Sequence, residues 1–273
     1  FHLNDKEMNF ESQEINRFMS HRFDFDNQHK NTFDDWVGAF EKAVAKRAVD
    51  GCFTGLSSGY DSGALTNELV KQGVKFKVWI IDKNENKEII NRRLGKIKEY
   101  KRVELTGEEL AKEKERLGGK ITNDKYTIRY NGQETPMHIL DDPASSALGI
   151  MCQDAKKEGR EVYLSTQGGD EILSDYSLLP SQSELKGHYP KNLKEWYNFR
   201  HGCQFSYLMK EERIPRAYGI ETRYPFLDID LVQEFLWLSS ELKNLCYKAP
   251  LHYYLTENLV PFEVGVKRGF API

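Results

Sequence analysis

Apolar residues follow two different spacings along this sequence, and the spacing changes from segment to segment. From residue 33 to residue 44 they recur every three or four positions, which predicts an amphipathic helix with Thr32 as its N-cap. The stretch 76–81 is instead apolar at every position except Lys77, as in strands that are buried on both faces. The first part of the chain therefore predicts helices and buried strands in alternation.

The same patterns locate the other elements. Amphipathic helices separate three further short strands, which are predicted at 52–56, 102–105 and 161–165. Thr106 and Glu109 have the spacing of a capping box, which marks the start of one of these helices. The stretch 120–137 is polar with little periodicity, and we expect a loop on the substrate side or at a subunit contact. After residue 165 every periodic segment is predicted to be helical.

This order of elements favours one α/β domain. Strands that alternate with helices form parallel sheets, with helices on both faces. We therefore predict a doubly wound parallel sheet with an added C-terminal helical layer, built from residues 32–273. Residues 1–31 are polar, and we expect a loosely structured lead-in there. A chain of 273 residues is long enough to bury a core of this size.

Composition and charge narrow the classes of partner. The 39 basic and 42 acidic side chains nearly balance, at a formal net charge of −3, so nothing attracts the whole chain to nucleic acid. The four cysteines form no C-x-x-C pair, which argues against a zinc site or a disulfide framework and indicates a reducing compartment. No apolar run approaches the ~20 residues that span a bilayer, and no signal peptide is recognisable. We expect a cytoplasmic protein with neither nucleic acid nor a membrane as its partner.

Two clusters of glycine, hydroxylic residues and a carboxylate follow predicted strands, at 57–63 and 165–171. The carboxyl ends of parallel strands meet at one edge of a sheet, so the two clusters should lie together. Glycines let backbone N–H groups approach an anion closely, and a carboxylate can hold Mg²⁺. A ligand that carries phosphates and magnesium is the simplest one that fits both clusters. The Walker pattern G-x-x-x-x-G-K-S/T is absent.

These clusters carry a specific resemblance. Residues 57–62 (SSGYDS) are similar to the SGGxDS pyrophosphate loop of the N-type ATP pyrophosphatases. Residues 164–171 (LSTQGGDE) resemble the LSGxGxDE motif of the asparagine synthetase family. Residues 221–228 (ETRYPFLD) resemble the E-x-R-x-PFLD segment of that family, and residues 267–270 (KRGF) resemble its K-x-G-F lysine loop. The four motifs stand in the order of the family.

The resemblance implies a fold of the N-type ATP pyrophosphatase type, with ATP and Mg²⁺ as its ligands. The implied reaction adenylates a carboxylate, releases pyrophosphate and transfers the acyl group to an amine or ammonia, giving an amide and AMP. Mg²⁺ ligation is implied for Asp61 and Asp170, and catalytic roles are implied for Asp170, Gln167 and Lys267. Lys267 would neutralise charge that develops on the phosphates and on the tetrahedral intermediate. Nucleotide contacts are implied for Leu56, Ser57, Ser58, Gly59, Asp61, Ser62, Ser165, Gly168 and, on the second strand, Ile80 or Ile81.

Three positions depart from the motifs of the family. Ser58 and Thr166 each replace a glycine. Gln167 stands where many asparagine synthetases carry a glutamate that contacts the incoming amine or the acyl group. A glutamine side chain can form hydrogen bonds but cannot accept a proton at neutral pH. Base catalysis by this position is therefore not expected.

The nitrogen source and the acyl substrate stay open. Members of the family begin with a catalytic cysteine on a glutaminase domain, whereas this sequence starts with Phe1. We expect a small-molecule or peptide carboxylate as substrate. The nitrogen would come from free ammonia, from a glutaminase on a preceding segment or separate subunit, or from an amine of the substrate itself. The last case corresponds to intramolecular cyclases of the β-lactam synthetase or peptide macrolactam type.

Two further classes of protein compete with an amide ligase as an interpretation of the sequence. A sulfur transferase acting on tRNA would also adenylate its substrate, but paired cysteines and a basic RNA-binding module are absent from the sequence. A non-catalytic paralogue that binds nucleotide is favoured by the three departures, whereas Asp61, Asp170 and Lys267 argue for activity.

Overall fold

The structure, a computed structural model, describes residues 22–81, 83–121, 125–130 and 133–268. Its strands, in chain order, are β1 Cys52–Gly55, β2 Phe76–Ile81, β3 Glu99–Val103, β4 Lys125–Tyr130, β5 Gln133–His138, β6 Val162–Leu164 and β7 Glu221–Arg223. Five of them form the central sheet in the order β3-β2-β1-β6-β7, and β4 and β5 form a separate antiparallel hairpin.

The strand order reverses at the middle of the sheet. From β1 the chain moves outward through β2 to β3, and it then crosses to the other side of β1 to form β6 and β7. Every pair in the sheet is parallel. The predicted doubly wound parallel sheet is therefore confirmed. Because the connections leave β1 and β6 in opposite directions, a crevice opens between the carboxyl ends of these two strands.

Helices cover both faces of the sheet. The described α-helices are Asp34–Arg47, Tyr60–Lys71, Lys87–Leu94, Gly107–Gly118, Pro143–Lys157, Gly169–Leu173, Tyr197–Arg200, Gly202–Arg216, Ile229–Trp237, Ser240–Lys243 and Ala249–Glu257. Short 3-10 turns occur at Ile139–Asp141 and Pro225–Leu227. Among the described helices, none combines the length and the apolar character that a membrane crossing requires.

Two apolar cores form because side chains alternate along each strand. In β2, Val78 and Ile80 point into a large core that also contains Phe40 and Leu236 of two helices. Trp79 points the other way, into a smaller core under the helices Gly107–Gly118, Pro143–Lys157 and Gly202–Arg216. Burial on both faces explains why β2 is apolar at every position except the half-buried Lys77.

Two predictions that rest on local chemistry, the strand at 76–81 and the capping box, are confirmed, and two further helix starts follow the same kind of local rule. The run 76–81 is a strand, and the Thr106–Glu109 capping box closes with the Thr106 hydroxyl accepting from the Glu109 N–H. Pro143 occupies the first turn of its helix, where a missing N–H costs nothing. Asp228 caps the helix Ile229–Trp237 by accepting from the Asp230 N–H at 3.0 Å. It also accepts from Arg47 at 2.6 Å, so this end of the PFLD segment holds the fold together.

Several boundaries and elements differ from the predictions. The first helix begins at Asp34, and its N-cap position is Phe33 rather than Thr32, because the Phe33 ring packs into the core. The third strand runs from Glu99 to Val103 instead of 102–105. Since β3 is an edge strand, its residues 99–101 are polar and exposed, and pairing with β2 alone places them in the sheet.

Two predicted non-strand regions contain strands. The stretch 120–137 was predicted to be a loop, but its described residues include the hairpin of β4 and β5. Residues 221–223 follow the point after which only helices were predicted, yet they form β7 through backbone pairing with β6. Strand β4 does alternate, since Tyr126, Ile128 and Tyr130 are separated by polar residues, so its sequence carries a strand signal that the loop prediction overlooked. Strands β5 and β7 show no apolar alternation, and only their pairing defines them.

Residues 22–31 pack against the helical layer. The Lys30 N–H donates to Trp237 O at 2.9 Å, and the Ser239 N–H donates to Lys30 O at 2.8 Å. The ring of Phe25 meets that of Trp196 edge to face. This part of the predicted lead-in is therefore attached to the domain, while residues 1–21 lie outside the described residues. The division at residue 31 stays a prediction.

Candidate functional site

A cleft of about 320 Å³ lies where the strand order reverses. β1 and β6 are neighbours at this point, with Phe53 paired to Tyr163 and the Thr54 hydroxyl donating to Leu164 O at 2.7 Å. The loops that follow the two strands therefore form adjacent walls of the cleft. Of the residues predicted from the sequence, those that line it are Leu56, Ser57, Gly59, Asp61, Ser62, Ile81, Ser165, Gln167, Asp170 and Lys267.

Hydrogen bonds to its own serines fix the conformation of the first loop. The Ser57 N–H donates to the Ser62 hydroxyl at 3.0 Å, and the two hydroxyl oxygens are 2.8 Å apart. The Gly59 N–H donates to the Ser57 hydroxyl at 3.2 Å. Gly59 also has little space around it, since a Cβ there would lie 3.1 Å from Arg268 O. Small side chains are thus required both by the loop and by the segment that lies over it.

Arg93 also fixes this loop, by hydrogen bonds to its backbone carbonyls. Its buried guanidinium donates to Ser57 O at 2.5 Å and to Gly59 O at 2.8 Å, and also to Pro261 O at 2.7 Å. A Cβ on Gly63 would lie 2.4 Å from an Arg93 nitrogen, so glycine at this position makes room for the guanidinium. Burial lowers the pKa of Arg93 to about 10, which leaves it charged at neutral pH. One arginine thereby joins the serine loop to the C-terminal segment that carries Lys267.

The second loop turns around a buried carboxylate. Glu171 accepts from the Gly168 N–H at 3.0 Å, from the Gln167 side-chain amide at 2.5 Å and from the Tyr176 hydroxyl. Gly168 has a φ of +100°, and a Cβ there would lie 2.4 Å from the Leu227 side chain. Glycine is therefore required by both the backbone conformation and the packing. Burial raises the pKa of Glu171, and the charge of Asp170 adds to that effect.

A cluster of four charged side chains joins the two loops. The Lys248 ammonium lies 2.6 Å from an Asp61 carboxylate oxygen and 2.9 Å from an Asp170 oxygen. The Lys267 ammonium lies 3.0 Å from the second Asp170 oxygen and 4.1 Å from the centre of the Tyr176 ring. Two positive charges thus balance two negative charges inside the cleft.

The cluster keeps Lys248 charged. Burial acts against the charged form of Lys248, but Asp170 and Asp61 outweigh it and hold the pKa of Lys248 well above its ordinary value. Burial likewise acts against ionisation of Asp170, but Lys248 and Lys267 hold the pKa of its carboxyl well below the usual range. Among the described residues, Lys248 is the one lysine that donates to Asp61, and burial raises the pKa of Asp61. Asp170 is therefore the more strongly ionised of the two carboxylates.

The donor set fits Mg²⁺ that arrives with phosphates. No group of three or more His, Cys, Asp and Glu side chains in the described ranges could hold a metal ion without help. Mg²⁺ at nucleotide sites is held by one or two carboxylates, with phosphates and water as the other ligands. Asp61 and Asp170 supply two such carboxylates, and a Cβ on Gly169 would lie 2.5 Å from an Asp61 oxygen, so glycine lets the loops approach.

The remaining predicted residues lie beside the cleft rather than in its wall. Ser58 is buried, and its N–H donates to a Glu85 carboxylate oxygen at 2.5 Å. Ile80 packs in the large core, so Ile81 is the β2 isoleucine that reaches the cleft. Gly168 packs against Leu227, as described above. Residues 269 and 270 of the lysine-loop motif lie outside the described residues.

Sequence reasoning missed Lys248. It lies directly before the helix Ala249–Glu257, with a positive φ of 50°, and only 2% of its side chain is exposed. Pro250 marks the start of that helix, but nothing in the local pattern separates Lys248 from a surface lysine. Its position in the site is visible only once the helix packs against Tyr60–Lys71.

The third wall of the cleft was also missed. Buried Lys210 pairs with Asp142 at 2.9 Å, and Glu211 follows Lys210 on the helix Gly202–Arg216. Leu148, Met151, Tyr163 and Tyr207 add apolar and aromatic surface between this wall and the serine loop. Lysine and glutamate on a polar helix give no sequence signal of this role, because exposed helix faces have the same composition.

Part of the chain is similar to asparagine synthetases. It is 32% identical over 116 residues to the asparagine synthetase (glutamine-hydrolyzing) of Gallus gallus, a stretch that makes up 40% of this chain and 19% of that protein. It is 27% identical over 105 residues to asparagine synthetase (glutamine-hydrolyzing) 1 of Arabidopsis thaliana, which is 37% of this chain and 17% of that protein. The matches thus span less than a fifth of either relative. No family model matches the chain.

Proposed function

We propose that this protein is an ATP-dependent amide ligase of the asparagine synthetase type, which forms AMP and pyrophosphate. One observation carries the proposal: two strand-end loops with the motifs of such enzymes meet in one cleft, where Asp61, Asp170, Lys248 and Lys267 form a balanced charge cluster. Partial similarity to two asparagine synthetases supports the same class of reaction.

The proposed binding mode places the phosphates of ATP at the serine loop. Ser57, Gly59 and Ser62 offer small side chains and hydroxyl groups there, and the helix Tyr60–Lys71 directs its N-terminus toward the loop. Asp61 and Asp170 would hold Mg²⁺, which supplies positive charge between the phosphate oxygens. Leu56 and Ile81 provide apolar surface for the adenine ring.

Lys267 has the position of a group that stabilises developing charge. Its ammonium points into the cleft and pairs with Asp170. A bound polyphosphate would compete with Asp170 for this lysine. Electrostatic donors of this kind act most strongly in sites that exclude water. Gln167 donates to Glu171 and has no ionisable group, so we assign it a role in shaping the second loop rather than in moving a proton.

For the nitrogen donor and the acyl substrate, the proposal names a chemical class rather than a particular molecule. The two relatives are named as glutamine-hydrolyzing asparagine synthetases. For this chain we propose a small-molecule or peptide carboxylate as the acyl substrate, and ammonia or an amine as the acceptor. Ammonia could be supplied by a glutaminase on another segment or subunit.

Isotope exchange tests the proposal most directly. Incubation with ATP, Mg²⁺, labelled pyrophosphate and a panel of carboxylic acids should return label to ATP for at least one acid. Phosphorus NMR of a turnover mixture should then show AMP and pyrophosphate. Stoichiometric ADP and phosphate would contradict the proposed reaction. ATP binding without exchange for any acid would instead favour the non-catalytic paralogue.

A further inference from the structure

Glu211 presents a carboxylate to the cleft from the third wall. The helix Gly202–Arg216 carries it, and the Thr222 hydroxyl fixes the helix to β7 by donating to Glu211 O at 2.9 Å. The hydroxyls of Ser165 and Tyr163 lie beside the carboxylate. Glu211 therefore faces the second strand-end loop across the cleft.

One oxygen of this carboxylate has no partner. Glu211 Oε2 is buried and accepts no hydrogen bond from any residue that the structure describes. Among the described residues, three other buried side-chain atoms lack a hydrogen-bond partner: Trp36 Nε1, Gln204 Oε1 and the Tyr224 hydroxyl. None of these three residues lines the cleft. A buried acceptor without a donor is costly, so a native protein rarely keeps one without a reason.

Glu171 in the same cleft makes the contrast clear. Its two oxygens accept from an N–H, an amide and a hydroxyl of the chain itself, so it is complete without a ligand. Glu211 has the hydroxyls of Ser165 and Tyr163 beside it, but no described donor reaches its Oε2. The two glutamates thus differ in what they can do: Glu171 shapes a loop, whereas Glu211 has an acceptor available to a bound molecule.

The charge of Glu211 is also uncompensated. The neighbouring ammonium of Lys210 is directed to Asp142 at 2.9 Å, and no lysine or arginine in the described part of the chain forms a salt bridge with Glu211. Burial raises the pKa of Glu211, and the charge of Lys210 and the hydroxyls of Ser165 and Tyr163 act in the opposite direction. An incoming positive charge would favour the ionised carboxylate.

We infer that Glu211 Oε2 is the acceptor for a positively charged amine of the substrate. An alkylammonium group supplies both the missing N–H donor and the missing positive charge, and the surrounding Met151, Tyr163 and Tyr207 suit its carbon chain. The inference rests on the proposed function for the reaction in which the amine takes part, whereas the subsite itself is argued from the geometry around Glu211. The amine is either a substituent of the acyl substrate or the nucleophile that forms the amide.

Carbon-13 NMR of the full chain tests the subsite without turnover. Protein labelled at the glutamate carboxyl carbons is titrated with ethylammonium chloride, with sodium chloride at equal ionic strength as reference. The Glu211 signal, assigned by its loss in Glu211→Gln, should shift saturably with ethylammonium alone. Ethylammonium affinity, followed through Ser165 and Tyr163 amide signals, should be about tenfold weaker in Glu211→Gln.

Glu212→Gln is the matched control, because Glu212 is the next residue of the same helix and is exposed. It should bind ethylammonium like the wild type. Absence of a saturable shift in the wild type overturns the subsite, as does equal binding by Glu211→Gln and Glu212→Gln. If Glu211→Gln does not fold, the Glu211 signal is assigned by elimination and the wild-type titration decides alone.

Pyrophosphate exchange then distinguishes the two sources of the amine. Exchange requires only adenylation, so a loss of at least tenfold in Glu211→Gln for acids that carry an amine assigns the amine to the acyl substrate. Normal exchange with a comparable loss of amide product assigns it to the nucleophile. Unchanged exchange and product would overturn the inference while leaving the ligase intact. Ethylammonium binding at Glu211 without exchange for any acid would refute the ligase and leave the subsite standing.

Discussion

Two buried lysines in the short segment 243–248 have opposite surroundings. Lys248 lies between the carboxylates of Asp61 and Asp170, and its pKa is held well above the ordinary value. Lys243 is equally buried but donates to neutral acceptors: Gln28 Oε1 at 2.7 Å, Leu236 O at 2.8 Å and Leu238 O at 2.5 Å. Burial lowers the pKa of Lys243 to about 7.

The difference separates a site from a structural clamp. Carbonyl and amide oxygens hold Lys243 in a fixed arrangement that ties residue 28 to the end of the helix Ile229–Trp237. The partners of Lys248 are carboxylates of two separate loops. A polyanion or a cation that enters the cleft therefore changes the balance of charge around Lys248. Burial of a lysine is therefore not evidence of function, whereas the identity and origin of its acceptors are.

The largest expected effect follows from removing Lys248. Lys248→Met leaves Asp61 buried with no described cation in contact and should lower the free energy of unfolding by about 3 kcal/mol. Urea unfolding measures it. The double variant Asp61→Asn/Lys248→Met should recover a large part of the loss, because the uncompensated carboxylate is gone. Lys191→Met, at a side chain that is 83% exposed, is the control, and an equal loss there would contradict the role of the cluster.

Lys267 tests the part of the cluster that we assign to catalysis. In the proposed reaction, Lys267→Ala should lower turnover about a hundredfold, with a far smaller change in ATP affinity, because the lysine acts on charge that develops in the transition state. Steady-state rates and calorimetric ATP titration separate the two quantities. Lys191→Ala should behave like the wild type. Normal turnover by Lys267→Ala would exclude the assignment.

Asp61→Asn makes the surroundings of Lys248 more like those of Lys243. The pKa of Lys248 should fall, because one of two opposing carboxylates is lost, yet it should stay above that of Lys243 because Asp170 remains. Nitrogen-15 NMR of the lysine ammonium groups measures both. Mg²⁺-dependent ATP binding should weaken about tenfold in the same variant. An unchanged pKa of Lys248 would show that Asp170 alone determines it.

The pH dependence that Lys243 contributes is the smallest effect when it is counted per pH unit. Its folded pKa of about 7 lies below the value of ~10.4 for an unfolded lysine. Between these values the unfolded chain binds a proton that the folded chain does not, so stability should rise with pH, by at most about 1.4 kcal/mol per pH unit. Urea midpoints from pH 7 to pH 10 test this, and Lys243→Met should remove the slope. A slope that survives in Lys243→Met would have to come from another group.

The sequence by itself determined the parts whose cause is local. The apolar run of β2, the capping box at Thr106 and the turn residues of the two strand-end loops each act on their own neighbours, so their patterns predict strand, helix start and anion-binding loop. Parallel topology follows from the alternation of strands and helices, and it places both loops at one edge of the sheet. For these reasons most of the loop residues predicted for the site line the same cleft.

Only the tertiary structure decided the rest. β5 and β7 exist through backbone pairing with their neighbours, and neither has an apolar pattern that predicts a strand. Lys248 reaches Asp61 across 187 positions of sequence, and Glu211 Oε2 is buried without a hydrogen-bond partner among the described residues, while the neighbouring Lys210 pairs with Asp142. Burial and charge balance depend on distances between remote segments. Local sequence therefore cannot distinguish Lys248 from Lys243, or Glu211 from its exposed neighbour Glu212.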